Sequence, residues 1–417
     1  MPRWAPILII IGLFVGFAAW YADITPYRTA GRLIHQRGNV PDVGAPDERQ
    51  HANYISHLVK ERSFPVLKPG SPDLIETYQS HQPPLYYLIA AAMGEPTKGT
   101  RYLNIIFGVC TIFALYRLGQ LAGKSDSAGW ACASFGLLPG FIMLNAAITN
   151  DSLLFALCTT TLTAVIDGSL NGWTWKKALL VGVLAGLALL TKSSALALIP
   201  TLGIVWLLEL KRKSISPITL GLGIIALPLA IAAPWFARNA ALYGDPLGLT
   251  VFKQAFTGSA QASMFINEVG PIAYWSDWVL WWTARSFVGV FGYMDIFLPN
   301  TLYFVVIGGL LLALAGHWLS TGEPLGKPDP RPSLVLGTFF VVVLLLFLQF
   351  NMTYFQGQAR YLYPAMGPIA AALGIGLSRW FGKKPIIAWV AAALGLTILN
   401  FYILTSVLPT EFARRIT

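Results

Sequence analysis

Asp47 and Glu48 stand side by side in a polar segment that also carries His51, His57 and His81, three of the chain's five histidines. Adjacent carboxylates next to histidines are the groups that accept protons or hold a metal ion, and the mouth of an apolar bundle is where a membrane enzyme needs them. A carboxylate drawn partly out of water gains basicity by desolvation and can take the proton of an attacking hydroxyl. That makes Asp47 a candidate base and Glu48 its modulator, or an acceptor for hydroxyl groups. A second use is open. Asp47 and Glu48 precede His51 by four and three residues, so on a helix either pair shares a face, and carboxylate oxygens suit Mg²⁺ or Mn²⁺. A third is that "APDERQHANYISHLVKER" is a solvated helix whose acids favour its N-terminal end.

The cations that could answer these acids are Arg101, Lys192, Arg238, Arg285 and Arg360, each at or near the end of an apolar segment. One such residue alone snorkels to lipid headgroups. Several brought together would grip a phosphate, because guanidinium forks match phosphate oxygens at two points.

The elements that must position these residues are membrane-spanning helices. The 417 residues are 55% hydrophobic and 12% charged, with a mean hydropathy of +0.60, which excludes a soluble globular domain. Apolar runs near the roughly 20 residues that cross a bilayer begin near Pro6, Tyr102, Ala128, Leu153, Ala178, Ala195, Ile218, Thr301, Leu334, Tyr361 and Ile386, predicting about eleven transmembrane helices in one integral domain over residues 1–417. The net charge of +10 falls in short clusters between these runs, so it reads as topology and not as a nucleic-acid surface. Cys110, Cys132 and Cys158 lie within apolar runs and predict neither disulfides nor zinc. Phosphate-loop, nucleophile-elbow, H-E-x-x-H and dinucleotide signatures are missing from the sequence.

Basic short loops face the cytoplasm: Arg117 with Lys124, Lys176 with Lys177, Lys211-Arg212-Lys213, Lys327 with Arg331, and Arg379 with Lys383-Lys384. With Arg3 inside, eleven crossings satisfy all of them, provided that Pro83–Met93, too short to span, does not cross. The outer face then receives a first loop (residues 22–82) and the turns at Arg101, Asn150-Asp151 and Lys192. It also receives an aromatic second loop (residues 235–299) and the segment ending at Arg360. The first loop holds seven acidic and seven basic residues between Asp23 and Glu76, and a loop of that length is more often functional than not. Trp275, Trp278, Trp281 and Trp282 in the second loop fit an interfacial anchor or a wall for a lipid chain or sugar.

Eight segments in order, "PDERQH", "SHQPPLYYL", "RYLNIIFG", "TNDSLLFAL", "GLALLTKSSALALIP", "PWFARNAALYGDP", "RSFVGVFGYMDIFLP" and "QGQARYLYPAMGP", resemble the GT-C superfamily of membrane glycosyltransferases. The likeness is to the branch of protein O-mannosyltransferases and lipid A aminoarabinose transferases and to allied bacterial membrane proteins. It runs from about Pro46 to Pro368. The resemblance implies an all-α fold with juxtamembrane helices in the first outer loop, in a bacterial inner membrane with its active site facing the periplasm or cell exterior. It implies sugar transfer from a polyprenyl-phosphate carrier to a glycan, lipid or protein acceptor, with no cofactor and no nucleic acid. Asp47 would be the base, in a single inverting displacement, and Glu48 would complete the acidic pair. Arg360 and Tyr361 in "ARYLYP" would meet the carrier phosphate, followed by Lys192 and Arg238, with Arg101, Arg285, Asp151 and His51 completing the substrate site. One departure stands out: where the aminoarabinose enzymes often read His-Lys-Pro-Pro, this chain reads His81-Gln82-Pro83-Pro84, so Gln82 offers only neutral hydrogen bonds. A transporter of lipid-linked sugars would use the same basic and aromatic cavity, whereas a non-enzymatic envelope-assembly protein would need no acidic pair facing a cationic cluster.

Overall fold

The apolar runs fold as helices, and the computed structural model describes residues 4–34, 38–212, 214–319, 329–382, 384 and 386–416. Arg3, Lys213, Lys327 and Lys383, four of the basic residues behind the topology reading, lie outside the described residues.

The chain opens with α1 (Ala5–Ile24), which Pro6 helps to start. The first loop follows: a two-residue hairpin of β1 (Gly31–Arg32) and β2 (Asn39–Val40), then α2 (Glu48–Glu61), the short α3 (Leu74–Thr77) and α4 (Leu85–Ala91). At seven residues, α4 rises only about 10 Å and cannot cross a bilayer. Next come α5 (Arg101–Gly123), α6 (Asp126–Ser134), α7 (Pro139–Asn145), α8 (Asp151–Asn171), α9 (Trp175–Leu189), α10 (Leu198–Glu209), α11 (Pro217–Gly221) and α12 (Leu227–Tyr243). The second loop contains α13 (Leu249–Ala255), α14 (Ala262–Ala273) and α15 (Trp281–Val288). The chain closes with α16 (Asn300–Leu319), α17 (Pro330–Thr353), α18 (Met366–Trp380), α19 (Ile386–Tyr402) and α20 (Leu408–Arg415).

All eleven apolar runs are helical, but among the described residues seven helices are long and apolar enough to span, or up to eight if the pair bent by 70° at Leu138 is one crossing. Two reasons account for the difference from eleven. Pro139 forces the break between α6 and α7, because the residue before a proline is driven out of the helical region. The runs at Ala178, Ala195 and Tyr361 yield helices of only 15, 12 and 15 residues. The second loop also starts later than expected. Helix continues through Trp235 to Tyr243, where Gly244 in the left-handed region caps it.

Packing between helices relies on small residues, as expected where lipid gives apolar faces no reason to associate. Gly119 of α5 sits against Cys132 of α6, and Gly316 of α16 meets the Gly376 carbonyl of α18 so closely that neither could carry a Cβ. One core joins α1, α5 to α7 and α18 to α20 around Phe14, Phe141 and Tyr363. The other joins α8 to α10 and α17 to the first loop, where Ala52, Tyr54, Ile55 and Leu58 of α2 cover Tyr86, Tyr87 and Ala90 of α4.

A single arginine fixes where the first loop meets these cores. Arg101, 0% exposed, donates from Nε to Glu48 Oε1 (2.7 Å) and from its terminal nitrogens to Glu48 Oε2 (2.5 Å) and the carbonyls of Ala22 (2.6 Å), Thr25 (2.8 Å) and Pro26 (2.8 Å). Glu48, also 0% exposed, accepts in addition from Ile148 N at 2.8 Å. The end of α1, the start of α2, the start of α5 and the turn before α8 therefore meet at one ion pair. Removing one partner strands a buried charge, at about 3–5 kcal/mol. Arg101→Ala or Glu48→Ala should therefore lower the thermal midpoint of the detergent-solubilised protein sharply, with Arg101→Met/Glu48→Leu recovering part of the loss. Single variants as stable as wild type would show that the pair is not a joint.

Candidate active site

Although adjacent in sequence, Asp47 and Glu48 point to different places, because Asp47 adopts the left-handed conformation (φ 59°, ψ 0°) just before α2. Aspartate tolerates this region better than most residues, yet it still costs on the order of 1 kcal/mol. The Asp47 carbonyl still accepts from His51 N at 3.0 Å, while its carboxylate makes no capping bond. That carboxylate instead meets Arg360 NH1 at 2.6 Å through Oδ2 and the Tyr78 hydroxyl at 2.5 Å through Oδ1. The solvated-helix reading fails on both acids: Glu48 is sealed, and the Asp47 side chain is only 16% exposed.

Arg360 reaches Asp47 from the turn Ala359–Tyr361, after α17. Ala359 N donates to Ser286 Oγ of α15 at 2.7 Å, which pins the turn. Arg360 also donates to the Tyr361 hydroxyl at 3.2 Å, and its Nε is buried without a partner. A narrow cleft of about 10 Å³, with room for about one water, runs past Arg360 between Pro46, Met294 and Gln358.

Around this pair lies a second one. Lys192 Nζ meets Asp151 Oδ1 at 2.5 Å, with Asp151 at the start of α8 and Lys192 beyond α9. His51 of α2 is buried beside both pairs, its Nδ1 2.8 Å from the Tyr87 hydroxyl and its charged neighbours Asp47, Lys192, Asp151 and Arg360. At the edge, Gln82 Oε1 accepts from Asn150 Nδ2 (3.4 Å), and His81 Nδ1 lies 2.8 Å from the Tyr78 carbonyl.

Burial pushes the Asp47 carboxyl up, but Arg360 and the Tyr78 hydrogen bond together outweigh it and hold the group below the usual carboxylate range. Desolvation alone was expected to raise its basicity, and the guanidinium reverses the sign. Burial works against charge on Arg360 too, yet Asp47 holds it above its ordinary value. Burial lowers His51 and His81 to about 4, leaving both neutral near pH 7.

The structure thus brings together Asp47, His51, Asp151, Lys192, Arg360 and Tyr361, with His81 and Gln82 at the rim. Four expected members stand apart. Glu48 and Arg101 are spent on each other behind the site and have no surface to offer a substrate. Arg238 donates to the Pro65 carbonyl at 2.8 Å and stacks on Trp235, which ties the first loop to α12. Arg285 lies between Trp282 and Phe297, 4.8 and 4.7 Å from their ring centres, and makes no ion pair among the described residues. The metal set built on Asp47, Glu48 and His51 is split, because Glu48 turns to Arg101 and His51 Nδ1 to Tyr87. Among the described residues no three His, Cys, Asp or Glu side chains gather to hold a metal ion. Tyr78 and Tyr87 are the members that spacing did not reveal; each meets its partner at the site 31 or 36 residues away in the sequence.

A model of a family of predicted membrane proteins (DUF2142) matches residues 68–370. The chain belongs to that family. The matched span includes Asp151, Lys192 and Arg360 and begins after Asp47. No curated protein matches the chain in sequence. In structure it is similar to ArnT from Cupriavidus metallidurans bound to undecaprenyl phosphate, at 14% identity and a TM-score of 0.54 over 99% of this chain and 74% of that one. The apo form of that protein gives 16% identity and a TM-score of 0.51, covering 97% and 74%. The apo oligosaccharyltransferase of Archaeoglobus fulgidus gives 13% and 0.53, covering 95% of this chain and 55% of that one, so the chain spans about half of the archaeal protein. The family and the spanning helices make the chain an integral membrane protein, and its fold is that of the GT-C membrane glycosyltransferases.

The two buried histidines have a pH signature. Unfolded, each takes a proton near its ordinary value of 6.5; folded, neither does until about 4. Between those values the unfolded chain binds more protons, so stability is fullest above 6.5 and falls as the pH drops toward 4. Asp47, with its lowered pKa, adds a loss in the same direction at lower pH. The thermal midpoint should decline across that window, and the decline should shrink in His51→Gln/His81→Gln. An equally steep decline in the double variant would assign it to other groups.

Proposed function

We propose that this protein is a glycosyltransferase that moves a sugar from a polyprenyl-phosphate carrier to an acceptor hydroxyl on a glycan, lipid or protein. The reaction takes place at the non-cytoplasmic face of a bacterial inner membrane. The observation that carries the reading is the Asp47–Arg360 ion pair: a carboxylate suited to accept a proton touches a guanidinium suited to a phosphate, beside the Asp151–Lys192 pair, in a GT-C fold. ArnT, with the same fold, has been crystallised with undecaprenyl phosphate, which supports a phosphate-linked lipid as the donor class.

Without donor, Arg360 holds Asp47 ionised and weakly basic. A carrier phosphate competes for the Arg360 fork and for the unpartnered Nε, and as it draws the guanidinium away Asp47 recovers basicity. The acceptor O–H then gives its proton to Asp47 while its oxygen bonds to the anomeric carbon from the face opposite the phosphate. The bond from that carbon to the phosphate oxygen breaks, and its electron pair leaves on the polyprenyl phosphate. Arg360 stabilises the charge gathering there, with Lys192 nearby. The single displacement inverts the anomeric centre. Asp151 holds Lys192 in place, and Gln82 and His81 at the rim offer neutral hydrogen bonds to the sugar.

Purified protein in proteoliposomes, given radiolabelled polyprenyl-phosphate sugars, tests this reading. Wild type should form covalent product. Asp47→Asn should lose about 10²-fold or more in turnover while still binding donor. Arg360→Ala should abolish donor use and Arg360→Lys retain a fraction, since lysine keeps the charge and loses the fork. Relocation of label without product would make the protein a transporter, and full turnover by Asp47→Asn would remove the base.

The sidedness has its own check. In a background with Cys110, Cys132 and Cys158 replaced by alanine, an impermeant thiol reagent should reach Lys68→Cys only from outside and Lys124→Cys only from the cytoplasm; both positions are exposed and lie outside the spanning helices. The opposite pattern would invert the topology.

A further inference from the structure

The turn Phe291–Ile296 between α15 and α16, closed by Phe291 N to Ile296 O (2.9 Å) and Ile296 N to Phe291 O (3.1 Å), brings two adjacent side chains to the Asp47–Arg360 pair. The Tyr293 hydroxyl lies beside that of Tyr78, and its charged neighbours are Asp47, Arg360 and Arg49. Met294, in the left-handed region (φ 62°) that a side chain rarely adopts, lines the narrow cleft beside Arg360. Such a backbone persists only where its surroundings hold it.

The hold comes from the next residue. Asp295 is buried and pairs through Oδ2 with Arg415 of α20, buried as well, and the same oxygen accepts from Ile34 N of the first loop at 3.1 Å. Arg415 also donates to the Asp295 carbonyl at 3.1 Å and to Glu411, one turn earlier in α20, at 3.1 Å. One guanidinium thus fixes both the side chain and the backbone of Asp295, and with them the direction of the two residues before it.

The charge on Asp47 decides which way the hydrogen bonds in front of the turn run. An ionised carboxylate has no proton to give, so Tyr78 spends its only O–H on Asp47 Oδ1 (2.5 Å) and can offer Tyr293 nothing but its oxygen. A Tyr293 O–H directed at that oxygen polarises the Tyr78 hydroxyl and strengthens its bond to Asp47.

We propose that Tyr293 is a positioning residue for Asp47, acting through Tyr78, and that the Asp295–Arg415 pair of the last helix holds it in place. The inference rests on the reading of Asp47 as the base. With Tyr78 fixed on Oδ1, Oδ2 is the oxygen that faces Arg360. It is also the one left free to take the acceptor's proton once Arg360 turns to a phosphate.

Two measurements on the full-length protein test this. In the proteoliposome transfer assay Tyr293→Phe, which keeps the ring, should lower kcat about tenfold, the scale of one hydrogen bond between neutral groups, with the donor KM unchanged. Burial raises the Asp47 carboxyl, while Arg360, Tyr78 and His51 around it hold it low. Weakening the Tyr78 bond should therefore move the acid limb of the pH–rate profile to higher pH. Arg415→Lys, which keeps the charge and loses the fork, should shift kcat and the acid limb in the same directions; if it does not fold, Asp295→Asn, which keeps an acceptor for Ile34 N, takes its place. An acid limb left in place, with kcat lost only in proportion to folded protein, overturns the inference. The second measurement needs no turnover. In detergent, the drop in thermal midpoint caused by Tyr293→Phe should be smaller in an Asp47→Asn background than in wild type, because the charge-assisted bond that Tyr293 supports is gone. Additive drops overturn the inference as well. A wild type that forms no product overturns the proposed function and leaves this cycle to decide whether Tyr293 acts on Asp47.

Discussion

The Arg101–Glu48 ion pair is the constraint on which the candidate site depends. A guanidinium with five hydrogen-bonded contacts and no exposure has a single low-energy arrangement, because every displaced bond leaves a buried carbonyl or carboxylate unpaired. It sets the angle at which the chain leaves α1 and enters α2, and so where Asp47 sits. The left-handed turn at Asp47 then aims the two neighbouring carboxylates apart, one to Arg101 and one to Arg360. A regular helical start would have given them directions about 100° apart on one helix. The left-handed residue instead separates an acid sealed against Arg101 from one paired with Arg360.

The charged cluster is assembled from segments that no single helix could supply. Asp47 and His51 come from the first loop, Asp151 and Lys192 from the ends of α8 and α9, and Arg360 from the turn after α17. Asp151, Lys192 and Arg360 each lie beyond or at one end of an apolar helix, where the change from lipid to water lowers the cost of a charge. Their mutual pairing keeps the cluster from being a concentrated positive field when empty. It also means that an anionic ligand binds by exchange of partners, displacing carboxylates already in place.

Much of this was legible in the sequence. Each apolar run marked a helix, and the short segment around Leu85–Ala91 was correctly denied a crossing, because hydropathy and length report directly on the lipid environment. Span lengths were less legible, since a proline bend after Leu138 and a short helix such as Trp175–Leu189 look alike in composition to full crossings. At the site, the sequence marked residue types at helix ends and could not say which cation met which acid. Arg101 and Arg360 read alike, yet one is sealed against Glu48 and the other lies at a cleft. Tyr78 had no signal, for its role comes from a contact with Asp47 and not from its neighbours in sequence.

The difference between those two arginines is one of magnitude. Arg101 and Glu48 are both 0% exposed, whereas Arg360 and Asp47 retain 13% and 16%. Opening the sealed pair carries the full penalty of a stranded buried charge, roughly 3–5 kcal/mol. A fully exposed pair would be worth only about 0–1 kcal/mol, and Asp47–Arg360 lies between the two limits, with water at hand to meet a departing group. An incoming phosphodiester, with one charge and two terminal oxygens like the carboxylate it replaces, can exchange for Asp47 at Arg360 within that range but not for Glu48 at Arg101, and the more highly charged monophosphate left after transfer would be held more strongly. The same chemical pair, placed a few ångströms deeper or shallower, therefore serves as a joint in one position and as an exchangeable contact in the other.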